Sequence, residues 1–134
     1  MLRELARELG VDGRVLFTGH VSREHVSVYR KIADIFVGPS RSEGLGNAFL
    51  SAMASRLPVV ATQEGGLADF ITRETAWPVR PDSPAEIARA VGEIVAHPDV
   101  AKQKSERARA LVEREYDWDM IAKTMRQRVF AKVL

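Results

Sequence analysis

The apolar positions of the chain fall into short continuous runs separated by stripes at helical spacing. Leu2, Leu5, Ala6 and Leu9 predict a helix over residues 2–9, stopped by Gly10. Residues 14–19 (RVLFTG) form an apolar run ending in Gly19 and read as a buried strand. Ser22 opens a helix to about residue 32, with Val26, Val28, Tyr29 and Ile32 on its apolar side. Residues 33–37 predict a second strand, closed by Gly38, Pro39 and Ser40, and residues 46–55 predict a helix rich in Ala, Leu and Met. Pro58 leads into a third strand over 58–62, since Pro is tolerated at a strand's first residue. Gly65 and Gly66 open a short helix to about residue 71. Residues 76–80 predict a weak fourth strand, which Pro78 assigns to a sheet edge.

From Ser83 onward the pattern is helical. Ile87, Val91, Ile94 and Val95 form one stripe, ended by His97 and Pro98. A second helix is expected over about 99–115. A third starts near Trp118 and aligns Ile121, Met125, Val129 and Val133, with Ala122 and Phe130 beside them. Short apolar strands alternating with helices define an α/β fold: a parallel sheet with helices on both faces.

Composition agrees with this class. The chain has 134 residues, 46% hydrophobic and 28% charged, which suits one soluble globular domain and excludes two full ones. With no Cys, disulfides, thiolate metal sites and Cys nucleophiles are excluded, and a reducing compartment is permitted. No apolar run approaches the ~18 residues of a membrane span, and the first residues lack a signal peptide's apolar core. Residues 1–100 carry 11 basic and 13 acidic side chains, against nine and five in residues 101–134. A basic helical face there is either simply solvated or meets phosphate, anionic lipid or an acidic partner.

In open parallel sheets, ligands bind beyond the carboxyl ends of the strands. Three such ends carry unusual residues: Gly19 to Ser22, Pro39 to Asn47, and Thr62 to Gly66. In the second, Gly44 and Gly46 permit close backbone approach, and the amides of Gly46, Asn47 and Ala48 would project from a helix start, favouring an anion. Glu43 would repel phosphate, but an ionised carboxylate accepts from sugar hydroxyls. Phosphate and polyol side by side describe a sugar nucleotide. The bland alternative is a strand-to-helix turn with Glu43 as a first-turn helix acid. Gly65 and Gly66 are either a second backbone approach to ligand or a turn needing positive φ. Asp69 either caps or binds, with capping the default; Trp77 and Trp118 are taken as packing residues rather than stacking platforms; and His20 is an exposed loop histidine or, at a strand's C-terminal end, faces the pocket. His20, His25 and His97 are too dispersed for a metal site. The Walker lysine motif, the dinucleotide glycine fingerprint and a nucleophile elbow are missing.

These stretches resemble the C-terminal, donor-binding half of GT-B glycosyltransferases of the large retaining group, the glycosyl transferases group 1 family. The resemblance rests on residues 14–19, 33–40 (ADIFVGPS), 43–54 (EGLGNAFLSAMA), and 58–62 with Gly65 and Gly66. The later helices also fit, with an aromatic-x-Trp in Tyr116 to Trp118. The resemblance implies metal-independent transfer of a sugar from a nucleotide donor with retained anomeric configuration, in cell-envelope polysaccharide assembly. It implies that Glu43, Gly44, Leu45 and Gly46 bind the donor sugar, that Gly46, Asn47 and Ala48 bind phosphate, and that Val21 and Ser51 face the nucleoside. No cofactor is expected.

Two departures matter. Ser51 stands where the family's second motif Glu binds the ribose hydroxyls, which implies a loss of about 1–3 kcal/mol in donor binding. The family's diphosphate-neutralising Arg and Lys, and its acceptor domain, have no counterpart in these residues. The chain therefore reads as an N-terminally truncated nucleotide-sugar-binding domain over 1–134, with strand–helix units over 1–82 and terminal helices over 83–134. Its sheet is a partial doubly wound, Rossmann-like one. Either strand 14–19 pairs directly with strand 33–38 through a right-handed crossover, or the sheet has a gap and exposed edges. The expected partners are a nucleotide-sugar donor and the missing N-terminal domain; no nucleic acid is expected. The expected location is cytoplasmic, and the basic terminal helices permit a peripheral membrane contact. The alternatives are a non-catalytic sugar-nucleotide or partner-binding module, and a phosphate-binding α/β domain without sugar specificity.

Overall fold

The computed structural model describes residues 1–132; Val133, the last residue of the predicted terminal stripe, lies outside them. Three parallel strands, β1 (Phe36–Gly38), β2 (Val59–Ala61) and β3 (Trp77–Pro78), form one sheet in the order β1-β2-β3. Phe36 aligns with Val59 across the first pair and Val60 with Trp77 across the second. The helices are α1 (Leu2–Glu8), α2 (Arg23–Ile32), α3 (Asn47–Ala54), α4 (Pro84–Ala96), α5 (Pro98–Glu115) and α6 (Trp118–Arg128).

β2 explains the two-faced core. Side chains alternate across a strand, and Val59, Val60 and Ala61 are all fully buried, so β2 faces apolar neighbours on both sides. Val59 and Ala61 join Phe49, Met53, Leu67, Phe70 and Ile71, with α3 and α5 covering that face. Val60 joins Trp77, Val79, Ala90 and Ile94 under α4. Side chains of this size contribute roughly 1.5–3 kcal/mol each when fully buried. β3 lies at the sheet edge, as Pro78 requires. Gly10 ends α1 as expected: the amides of Gly10 and Val11 return to the carbonyls of Arg7 and Ala6.

The first predicted strand does not form. Residues 12–14 make a short 3-10 turn, and the chain beyond it pairs with no strand among the described residues. Leu16 is 82% exposed. A strand exists only through a neighbour's backbone groups, and among the described residues the apolar run 14–19 pairs with none, which leaves the outer edge of β1 free. Of the two sheet arrangements considered, the one with exposed edges holds. Arg3 anchors this segment instead, with its guanidinium 4.7 Å from the Phe17 ring centroid.

Two helical stripes also need correcting. On α4 the buried positions are Ala90 and Ile94, with Ile87 and Val91 half-buried, whereas Val95 is 71% exposed. Ala90 lies one turn before Ile94, and Val95 is turned about 100° away from it. On α6, Ile121 is half-buried while Met125 and Val129 are exposed, and Val129 lies just past the helix end. Pro98 both ends α4 and starts α5, where its missing N–H costs nothing. Asp117 caps α6 by accepting from the amides of Asp119 and Met120 at 2.9 and 3.3 Å.

The entry to α4 is held by a carboxylate. Glu86 accepts from the Arg80 backbone N–H at 2.8 Å and from Arg80 Nε at 2.6 Å. The backbone bond first, and then the guanidinium bond, hold its pKa below the ordinary 4.5. A carboxylate lowered in the folded state stabilises the fold above its unfolded pKa and loses that contribution as pH falls through its folded pKa. The urea midpoint of the wild type is therefore expected to exceed that of Glu86→Gln near neutrality, and the gap to close as pH falls below the ordinary 4.5 and through the lowered folded value. A gap independent of pH would exclude this role.

Candidate functional site

Because β1 and β2 are adjacent and parallel, the loops after them lie side by side. Their contacts are specific. Thr62, fully buried, donates through Oγ1 to the Ser40 carbonyl at 2.6 Å, and the Gly66 N–H donates to the Gly44 carbonyl at 3.0 Å. Gly65 has φ +59°, and a Cβ there would collide with the Glu43 carbonyl oxygen. Of the two sequence readings of Gly65, the turn needing positive φ is the one met. The close approach is to the Glu43–Leu45 backbone. The second loop is a brace for the first. Asp69 ends the short turn after Gly65 and is exposed, so it caps no helix start; Glu64 holds the position before that turn.

The braced loop ends in Gly46, which begins α3. Its φ of +77° and a side-chain position occupied by Leu67 favour glycine and strain any replacement. No side chain caps α3 and its first turn holds no acid. The first return bonds to the Gly46 carbonyl come from Phe49 and Leu50, at 3.0 and 3.2 Å. The amides of Asn47 and Ala48 precede them, on exposed residues at the positive end of the helix dipole. Glu43 lies three residues before Gly46, outside the helix, so it is no first-turn acid. It is half-buried, and Ser40 Oγ donates to its Oε1 at 3.2 Å. Around Gly44 the space where a side chain would lie is open, so nothing in the packing demands glycine there.

Two clefts border α3. One, of about 400 Å³ between α2, α3 and α6, is lined by Arg23, Arg30, Asn47, Ala48, Ser51 and Trp118. Its neighbour, of about 180 Å³, is lined by Leu45, Asn47, Ser51, Tyr116 and Trp118. Leu45, Asn47, Ala48 and Ser51 are therefore brought together, with Ser51 in both clefts. Glu43, Gly44 and Gly46 lie on the loop leading to them. Val21, half-buried before α2, lines neither cleft. Trp77 is a packing residue, but Trp118 is not: it is 77% exposed and borders both clefts. Arg23 and Arg30 went unread in the sequence, although their spacing of seven with Val26 between them places all three on one face of α2. His20, His25 and His97 are exposed, and among the described residues no group of His, Asp or Glu gathers as a metal site.

Parallel strands with flanking helices and a glycine-led helix start beyond β1 are the architecture of the C-terminal domain of a GT-B glycosyltransferase. The chain belongs to the glycosyl transferases group 1 family, whose model matches residues 1–97. It is 33% identical over 129 residues to a GDP-mannose-dependent alpha-(1-6)-phosphatidylinositol monomannoside mannosyltransferase of Mycobacterium tuberculosis, covering 90% of this chain and 34% of that protein. Its structure is similar to a sucrose-phosphate synthase of Thermosynechococcus elongatus, with TM-score 0.89 and 31% identity over 98% of this chain and 33% of the other. It is also similar to the C-terminal domain of a glycosyl transferase group 1 family protein of Francisella tularensis, with TM-score 0.79 and 26% identity over 87% and 61% of the two chains. The chain spans about a third of the length of the curated mannosyltransferase it matches. Among the described residues no helix is long and apolar enough to cross a membrane.

Proposed function

We propose that this chain binds the donor of a glycosyltransferase that moves a sugar from a nucleotide-sugar to an acceptor with retained configuration and without a metal. The carrying observation is the uncapped start of α3, held in place by the brace between the two loops, with a carboxylate three residues away. Gly46, Asn47 and Ala48 present amides to the diphosphate, where charge grows as the nucleoside diphosphate leaves. Glu43 accepts from the sugar hydroxyls, and the open space around Gly44 lets the sugar approach. Val21 and Ser51 serve the nucleoside side. Arg23 and Arg30, beside Asn47 and Ala48, add the positive charge that a diphosphate needs. The dependence of the mycobacterial relative on GDP-mannose supports a nucleotide-sugar as ligand. An acceptor domain outside these residues completes the cleft, and a lipid-linked acceptor of the cell envelope would bring the enzyme to a membrane surface from the cytoplasmic side.

The test is calorimetric titration of the chain with GDP-mannose, UDP-glucose and the free diphosphates. Glu43→Ala is expected to weaken the sugar nucleotide by about 1.5–3 kcal/mol while leaving the free diphosphate unchanged. A folded chain that binds none of the four, or an equal loss for sugar nucleotide and diphosphate, would overturn the assignment.

A further inference from the structure

The free edge of β3 carries a second constellation, away from the loops after β1 and β2. A cleft of about 330 Å³ lies between β3, α4 and α5, lined by Arg73, Trp77, Glu86, Arg89, Glu93 and Lys104. Trp77 is 5% exposed, and its indole Nε1 is buried without a hydrogen-bond partner. An indole N–H is a donor only, and leaving it unmatched costs the full desolvation of the group. Lys104 Nζ sits 4.2 Å from the centroid of the same ring and reaches the Ala76 carbonyl only at 3.5 Å.

The chemistry of the lining is one-sided. Arg73, Arg89 and Lys104 offer only donors to the cleft, whereas the Trp77 N–H is buried. Both Glu86 oxygens already accept from Arg80. Glu86 and Glu93 are then the two carboxylates facing three cations, and the lining keeps an excess of one positive charge. A phosphate group supplies what is missing: acceptor oxygens alone, carrying nearly two negative charges near neutral pH.

We infer that this edge cleft is an anion site, separate from the start of α3, that takes a phosphate group, either free or carried on a small sugar. Burial already holds the Lys104 pKa below the usual lysine value, with Arg107 and Arg73 adding to the fall and Glu93 opposing it. A bound anion relieves that penalty. The site sits on the sheet edge, where a ligand adds its charge without entering the donor cleft.

The two tryptophans make the test selective, because Trp77 lines this cleft and Trp118 the clefts on α3. The Nε1–H resonances, assigned with Trp118→Phe, are followed by NMR while the full chain is titrated with inorganic phosphate and, separately, with a hexose 6-phosphate. The Trp77 resonance is expected to move saturably, with half-saturation near about 1 mM or below. Tighter binding of the hexose phosphate identifies the sugar phosphate as the ligand; equal binding identifies the free ion. Arg89→Gln, at an exposed position, and Lys104→Met, which keeps the stem over the indole, are each expected to weaken binding about tenfold. A Trp77 resonance that stays still while Trp118 moves, or that moves equally in both variants, overturns the inference and leaves the donor proposal intact.

Discussion

Gly65→Ala is expected to lower the unfolding free energy by about 2–4 kcal/mol. Two penalties combine. An L side chain at φ +59° strains the backbone by about 1–2 kcal/mol, and its Cβ meets the Glu43 carbonyl oxygen, a main-chain atom that cannot swing aside. Relief requires the two loops to part, which strains the Gly66-to-Gly44 bond at 3.0 Å and the approach to Gly46. The variant should therefore lose donor affinity together with stability. Gly44→Ala separates the two effects, because a Cβ at Gly44 enters open space. Its urea midpoint should stay within about 0.5 kcal/mol of wild type, while donor affinity falls as the new methyl fills the ligand's side of the loop. A Gly65→Ala chain as stable as wild type would mean that the loop brace contributes nothing.

How much of this was legible beforehand depended on whether a feature is local. β2 and α3 were readable because an apolar run buried on both faces and an Ala-rich helix are written in contiguous residues. The loop from Pro39 to Asn47 was readable for the same reason. The run 14–19 looks identical to a buried strand in sequence, yet a strand also needs a partner, and among the described residues this run has none. The brace was half legible. Gly65 and Gly66 announced a special backbone, but that they press on the Glu43–Leu45 main chain follows only from β1 and β2 being neighbours. Trp118 departs from the packing expectation because a large aromatic is usually buried, whereas this one, the first residue of α6, is exposed. The edge cleft joins residues from 73 to 104, and no spacing rule connects them.

Phe70→Ala is the substitution expected to cost most, about 3–5 kcal/mol, by removing a ring with no exposed surface. Phe70 follows the bracing turn and packs edge-to-face on Tyr116, with centroids 5.6 Å apart. Its far edge lies 3.4 Å from where a Gly46 side chain would be, so one ring joins the brace, the start of α3 and the end of α5. Burial, then the charges of Asp69 and Glu115, raise the Tyr116 pKa above the ordinary 10.0. A group raised in the folded state stabilises below its unfolded pKa and loses that contribution as pH rises through the folded value. The cavity left by Phe70→Ala admits water to the phenol, so the Tyr116 titration, followed by ultraviolet difference absorbance, should move back down toward 10.0. Folded stability and the titration should therefore shift together. If the urea midpoint falls but the tyrosine titration stays put, the ring supports α3 without shielding Tyr116. If neither moves, the packing of this face rests on the aliphatic side chains around Leu67 and Ile71 alone, and the start of α3 needs no support from α5.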